Sequence, residues 1–139
     1  MALADLLKQI PLFESMLDSE REHLATLLKR LSLPKGEVLF RKGDHGSSFY
    51  IIVKGLIKIG VTSRVGDEVT LALLRSGDFF GEMALLDEQP RSADATAVED
   101  TLLYVLEHDD FFSFLFQNEN AVRSILRALS LRLRRTDDL

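Results

Sequence analysis

One stretch of the sequence concentrates groups able to hold an anion: Gly77-Asp-Phe-Phe-Gly-Glu-Met-Ala-Leu-Leu-Asp-Glu-Gln-Pro-Arg-Ser-Ala-Asp-Ala-Thr-Ala97. Gly81 permits a sharp turn, Met83 to Leu86 are good helix formers, and Pro90 closes the segment before Arg91 and Ser92. This pattern predicts a strand, a single helical turn and a return strand. A short helix entered through glycine presents unpaired backbone N–H groups and the positive end of a dipole, though one turn supplies only a small one. Arg91 adds a guanidinium, which grips two phosphate oxygens at once where a lysine offers a point charge, and Ser92 adds a further donor. Glu82 only accepts, so beside a phosphate it repels unless it faces a donor such as a ribose hydroxyl or Arg91 itself. The set asks for a ligand with both an anion and a hydroxyl. The competing readings are a surface ion pair of Arg91 with Asp87 or Glu88 and a solvated strand end at Glu82.

The elements that must position these groups change character along the chain. Leu3, Leu6, Leu7 and Ile10 recur at helical spacing up to Pro11, and a second helical run opens at Asp18-Ser-Glu-Arg, with Leu24, Leu27, Leu28 and Leu31 on one face before Pro34. Residues 1–33 therefore read as N-terminal helices. From 34 to 107 the pattern is short apolar runs between glycine turns: Val38–Phe40, Phe49–Val53, Leu56–Ile59, Val69–Leu73 and Leu102–Leu106. The turns at Lys42-Gly-Asp44, Lys54-Gly55, Val65-Gly-Asp67 and Ser76-Gly-Asp78 suit antiparallel hairpins. Residues 108–139 return to a helical period. In the last run Val122, Leu126, Leu129, Leu133 and Thr136 fall at spacings of 4, 3, 4 and 3, a seam flanked by arginines that suits a second copy of the helix, or else the chain's own sheet.

Length and composition narrow the function classes. The chain has 139 residues, Lys plus Arg 17 against Asp plus Glu 22, and a net charge of −5, which fits one folded domain and speaks against a strongly basic nucleic-acid binder. It has no cysteine, which excludes disulfides, thiolate metal sites, iron–sulfur clusters and a cysteine nucleophile. His23, His45 and His108 are scattered without metal-ligand spacing, so neither a metal site nor a metal-dependent barrel enzyme is expected. No run is long enough to span a bilayer, and Met1 to Pro11 carries Asp5 and Lys8, unlike a signal peptide; a cytoplasmic protein is expected. The nine phenylalanines are expected in the core.

Phe80-Gly-Glu-Met-Ala-Leu-Leu followed by Pro90-Arg-Ser-Ala93 closely resembles the phosphate-binding cassette, residues 80–93 here, of cyclic nucleotide-binding domains. Pro34-Lys-Gly-Glu-Val-Leu-Phe-Arg-Lys-Gly-Asp44 and Tyr50-Ile-Ile-Val-Lys-Gly55 resemble the family's opening strands and glycine turns, so the likeness covers nearly the whole chain. The resemblance implies a mainly β fold, an antiparallel jelly roll with N-terminal helices and a long C-terminal dimerisation helix. It also implies that Gly81, Met83 and Ala84 approach the cyclic phosphate or line the pocket, that Glu82 takes the ribose 2′-hydroxyl, and that Arg91 and Ser92 hold the phosphate oxygens. Within the family the sequence is most similar to the N-terminal sensor domain of Crp/Fnr-type transcription regulators. There a threonine of the last helix reaches the adenine, which an ungapped count from Arg91 places at Thr136. Asp137 stands where the family's cAMP-activated example has a hydroxyl residue, and the cassette is one residue shorter than in that example.

The resulting expectation is a non-enzymatic sensor without cofactor, its ligand cAMP or cGMP, dimeric through the last helix. It would reach DNA only through a domain missing here, and no membrane is involved. With no glycine or proline stop near Leu139, the end of the sequence reads as a cut within a helix. The alternatives are the regulatory domain of a channel, transporter or kinase, and a dimerisation domain that has lost its ligand. The last is opposed by the complete set of Glu82, Arg91 and Ser92, since burying such charges without a ligand is costly unless they pair with each other.

Overall fold

The computed structural model describes residues 2–137, with side chains described through residue 135. In chain order the elements are α1 (Leu3–Lys8), α2 (Asp18–Ala25), β1 (Lys29–Leu33), β2 (Val38–Phe40), β3 (Phe49–Lys54), β4 (Leu56–Thr62), β5 (Glu68–Arg75), β6 (Phe79–Phe80), α3 (Ala84–Asp87), β7 (Asp94–Ala97), β8 (Thr101–Leu106), α4 (His108–Gln117) and α5 (Glu119–Asp137). They fall into two compact units, a β unit of Lys29–His108 and a helical unit of Met1–Leu28 with Asp109–Leu139.

The β unit is an antiparallel jelly roll of two four-stranded sheets, ordered β1-β8-β3-β6 and β2-β7-β4-β5. Strands distant in sequence pair in both sheets, so the fold brings β2 beside β7 and β3 beside β6. The inward side chains Leu33, Tyr50, Ile52, Ile57, Phe80, Ala95, Ala97, Leu103 and Val105 form its core, with Phe40 packed against them. Ala95 and Ala97 are the inward residues of β7, and their small size leaves room for the three large rings of Phe40, Tyr50 and Phe80.

The expectation that residues 1–33 are all helical fails at Lys29–Leu33, which form β1. This segment pairs with β8 through five residues, from Lys29 opposite Val105 to Leu33 opposite Thr101. Leu31 satisfies both patterns: it continues the three-to-four spacing of Leu24, Leu27 and Leu28, and it also stands two residues before Leu33. Only the second spacing matches burial, since Leu31 and Leu33 turn inward while Arg30 and Ser32 are exposed. A partner strand distant in sequence decides between the two.

In the helical unit, Phe13 meets Phe111 edge to face at 5.9 Å between ring centroids. Arg21 is buried there, and its guanidinium donates to the carbonyls of Phe13 at 3.2 Å and Glu14 at 3.0 Å, to that of Met16, and to the Asp18 carboxylate. The long helix α5 buries Ala121, Ser124 and Ile125, and the Ser124 hydroxyl donates to the Ser15 carbonyl at 3.3 Å or that of Asn120 at 3.1 Å. The seam read from the sequence is largely separate from this face: Leu126 is 61% and Leu133 65% exposed. Among the described residues, no helix is long and apolar enough to cross a membrane.

Candidate functional site

Sequence and topology meet in the β6–α3–β7 segment. β6 ends at Phe80, whose ring stacks on Tyr50 at 5.1 Å and fixes the strand on the core. The chain then turns through Gly81 at φ 83°, a conformation that other residues adopt only under strain. Space forbids a side chain there as well: a Cβ on Gly81 would lie 2.9 Å from Arg91 Nη1 and 2.9 Å from the Ser48 carbonyl oxygen. The single turn of α3 follows, held by the Ala84 N–H donating to the Gly81 carbonyl at 3.1 Å, and Glu88 ends it in the left-handed conformation at φ 53°.

Gly81, Glu82, Met83, Ala84, Arg91 and Ser92 line one pocket of about 370 Å³, with Asp87, Gln89 and Pro90 completing the wall. The anion-binding set and the carboxylate read from the sequence thus face the same space. Thr136 falls in the last turn of α5, and its side chain lies outside the described residues.

Arg91 dominates this site electrostatically. It is only 8% exposed, and the surface ion pair with Asp87 or Glu88 is not what the fold builds: Glu88 lies 3.6 Å from His108 Nε2, and an Asp87 carboxylate oxygen accepts from the Gln89 N–H. The Arg91 main chain is gripped from both sides by the turn after β2, its N–H donating to the Asp44 carbonyl at 2.9 Å and its carbonyl accepting from the Gly43 N–H at 2.8 Å. Asp44 closes that turn by accepting from the Arg41 N–H at 2.9 Å, and Asp94 ties it to β7 through the Lys42 N–H at 2.6 Å.

The Arg91 side chain donates from Nη2 to the Ser48 carbonyl at 2.9 Å, while its buried Nε has no hydrogen-bond partner. Its guanidinium carbon lies 4.4 Å from the centre of the Phe40 ring and 5.7 Å from that of Tyr50. Burial lowers the Arg91 pKa, against an opposing contribution from Tyr50, yet a guanidinium remains charged throughout the physiological range. Burial likewise raises the Tyr50 phenol above its ordinary value, outweighing the nearby Arg91 charge and a hydrogen bond with Ser48. Ser48 is anchored in turn by its hydroxyl donating to Glu107 at 2.8 Å.

Chemically, the site offers a fixed, uncompensated cation, a hydroxyl at Ser92 and a carboxylate at Glu82 around one opening. That set can bind and orient an anionic, hydroxyl-bearing ligand. Sequence reasoning missed Phe40, Gly46, Ser48 and Tyr50, which shape the back of the site from 41 or more residues before Arg91. The one available signal was the Lys42-Gly-Asp44 turn, read as a turn but not connected to the cassette.

A model of the cyclic nucleotide-binding domain matches residues 30–118. The chain is 37% identical over 94% of its length to the cyclic AMP receptor protein of Thermus thermophilus, of which it covers 61%. It is also 33% identical over 84% of its length to a cAMP-dependent protein kinase regulatory subunit of Emericella nidulans, of which it covers 28%. Among solved structures, the N-terminal domain of a transcriptional regulator from Streptomyces coelicolor superposes with a TM-score of 0.91 at 34% identity, covering 96% of this chain and 94% of that one. The Thermus thermophilus catabolite activator protein gives 0.74 at 37% identity, covering 92% of this chain and 60% of that one. The chain thus spans about 60% of the length of the bacterial regulators it matches.

Proposed function

Since the chain belongs to the cyclic nucleotide-binding domain family, we propose that it is the sensor part of a Crp/Fnr-type regulator, binding a 3′,5′-cyclic nucleotide, cAMP first, without catalysing a reaction. Arg91 and Ser92 hold the oxygens of the cyclic phosphate, Glu82 accepts from the ribose 2′-hydroxyl, and Gly81, Met83 and Ala84 form the wall against the sugar and phosphate. The observation that carries this reading is the buried Arg91, charged and without a carboxylate beside it, opening on the same pocket as Glu82. A charge held out of water in this way is costly unless a counter-charge meets it, and a phosphate is such a partner.

The same reading extends to α5. Its exposed Leu126 and Leu133 suit a parallel copy of the helix in a homodimer, with Thr136 reaching the adenine and the signal passing to a DNA-binding domain of a longer cytoplasmic regulator. The similarity to kinase regulatory subunits supports a second reading, in which the same ligand site serves a kinase rather than a promoter.

Calorimetric titration of the purified chain with cAMP and with cGMP, after unfolding and refolding to strip carried-over ligand, tests the proposal. Micromolar binding of cAMP is the expected result, with cGMP weaker. A refolded chain that binds neither overturns it.

A further inference from the structure

The uncompensated state of Arg91 requires something to hold the guanidinium in place. Buried arginines are normally fixed by carboxylates or by several carbonyls, but Arg91 has one carbonyl, that of Ser48, the neutral Tyr50 hydroxyl beside it, and an Nε without a partner. What it has besides is a face. The Phe40 ring lies under the guanidinium carbon at 4.4 Å, within cation–π distance, and is itself braced by Tyr50 at 6.0 Å and Phe80 at 6.1 Å between centroids. Gly46 supplies the room: a Cβ there would stand 2.9 Å from Nε, 3.1 Å from Nη2 and 3.3 Å from Cζ. Gly46 has no left-handed backbone angle, and the nearest atoms a Cβ there would meet are those of the Arg91 guanidinium, which would have to move aside.

We infer that Phe40 and Gly46 are the positioning residues of the anion site, an aromatic face and a gap that hold Arg91 in its binding orientation without neutralising it. A carboxylate in Phe40's place would fix the arginine equally well but would compete with the incoming anion. An aromatic face attracts the cation through its quadrupole and occupies none of the guanidinium's N–H groups, so those not already given to Ser48 and Tyr50 stay able to donate in the plane of the group. The inference rests on the ligand reading above for its functional consequence, and on the ring geometry alone for its structural one.

The two parts are separated by measuring both. In the ligand-free chain, the Arg91 Nε–H proton resonance, assigned by its disappearance in Arg91→Lys, is expected upfield through the ring current of Phe40. Phe40→Leu, which retains an apolar side chain but not the ring, should move it downfield, and Phe40→Tyr should restore it. For cAMP, Phe40→Leu should weaken binding about tenfold while Phe40→Tyr stays close to the parent. Gly46→Ala should shift the same resonance and weaken binding without altering Phe40, which gives a second test should Phe40→Leu fold poorly. Equal resonances and equal affinities in the parent and Phe40→Leu would overturn the inference, as would equal weakening by Leu and Tyr. If the parent chain binds no cyclic nucleotide, the ligand reading falls and the resonance comparison alone decides for or against the cradle.

Discussion

Two buried arginines, Arg21 at 4% exposure and Arg91 at 8%, are answered by the chain in different ways. Arg21, in the helical unit, spends its guanidinium on the loop before α2, meeting the carbonyls of Phe13, Glu14 and Met16 and the Asp18 carboxylate. Charge and donors are answered by the chain itself. Arg91, in the β unit, has its main chain clamped by the turn after β2, while its side chain meets one carbonyl, the Tyr50 hydroxyl and the rings of Phe40 and Tyr50, with Nε unpartnered. Burial alone therefore does not distinguish an arginine whose donors the fold answers from one that keeps a donor unanswered; the number of answered donors does.

The comparison breaks most visibly on substitution to alanine. Arg91→Ala should reduce cAMP affinity about 100-fold or more, the loss of two charge-assisted hydrogen bonds to phosphate, while the chain keeps its circular dichroism spectrum and its thermal midpoint. Arg21→Ala should do the reverse, leaving affinity unchanged in the folded fraction and costing about 3 kcal/mol in urea unfolding, because buried carbonyls of the loop before α2 lose their donor. If Arg91→Ala destabilised the chain as much as Arg21→Ala and bound cAMP normally, the distinction between the two would be lost.

How much of this was legible follows from distance along the chain. The pocket wall lies within Gly81–Ser92, so residue type and spacing suffice to gather it. The strands of the jelly roll announce themselves by short runs between glycine turns, and the single turn of α3 by its helix formers. What was not legible depends on pairing across the fold. β1 carries an apolar spacing that fits a helix as well, and only its pairing with β8 settles it. Phe40 and Gly46 reach Arg91 because β2 lies beside β7 and the next turn grips the Arg91 main chain. No local spacing encodes either contact, and a phenylalanine serving both core and guanidinium looks like any other core phenylalanine.

A smaller effect sharpens the comparison at high pH. Asp18 pairs with Arg21, whereas beside Arg91 stands the Tyr50 phenol, whose pKa is raised from 10.0, chiefly by burial. The folded state therefore holds the Tyr50 proton more tightly than the unfolded chain does. Its contribution to stability is fully present below about pH 10 and is lost as pH rises from there through the raised folded value. Urea unfolding between pH 9 and about 11 should show a steeper loss of stability in the parent than in Tyr50→Phe, and identical slopes would deny the perturbation.

The most direct test of the central claim is a crystal structure of the chain grown with cAMP. The account predicts the cyclic phosphate within hydrogen-bond distance of the Arg91 guanidinium and of Ser92, the ribose hydroxyl on Glu82, and the Phe40 ring still under Arg91. A nucleotide bound elsewhere, or an Arg91 turned away from the phosphate, would contradict it.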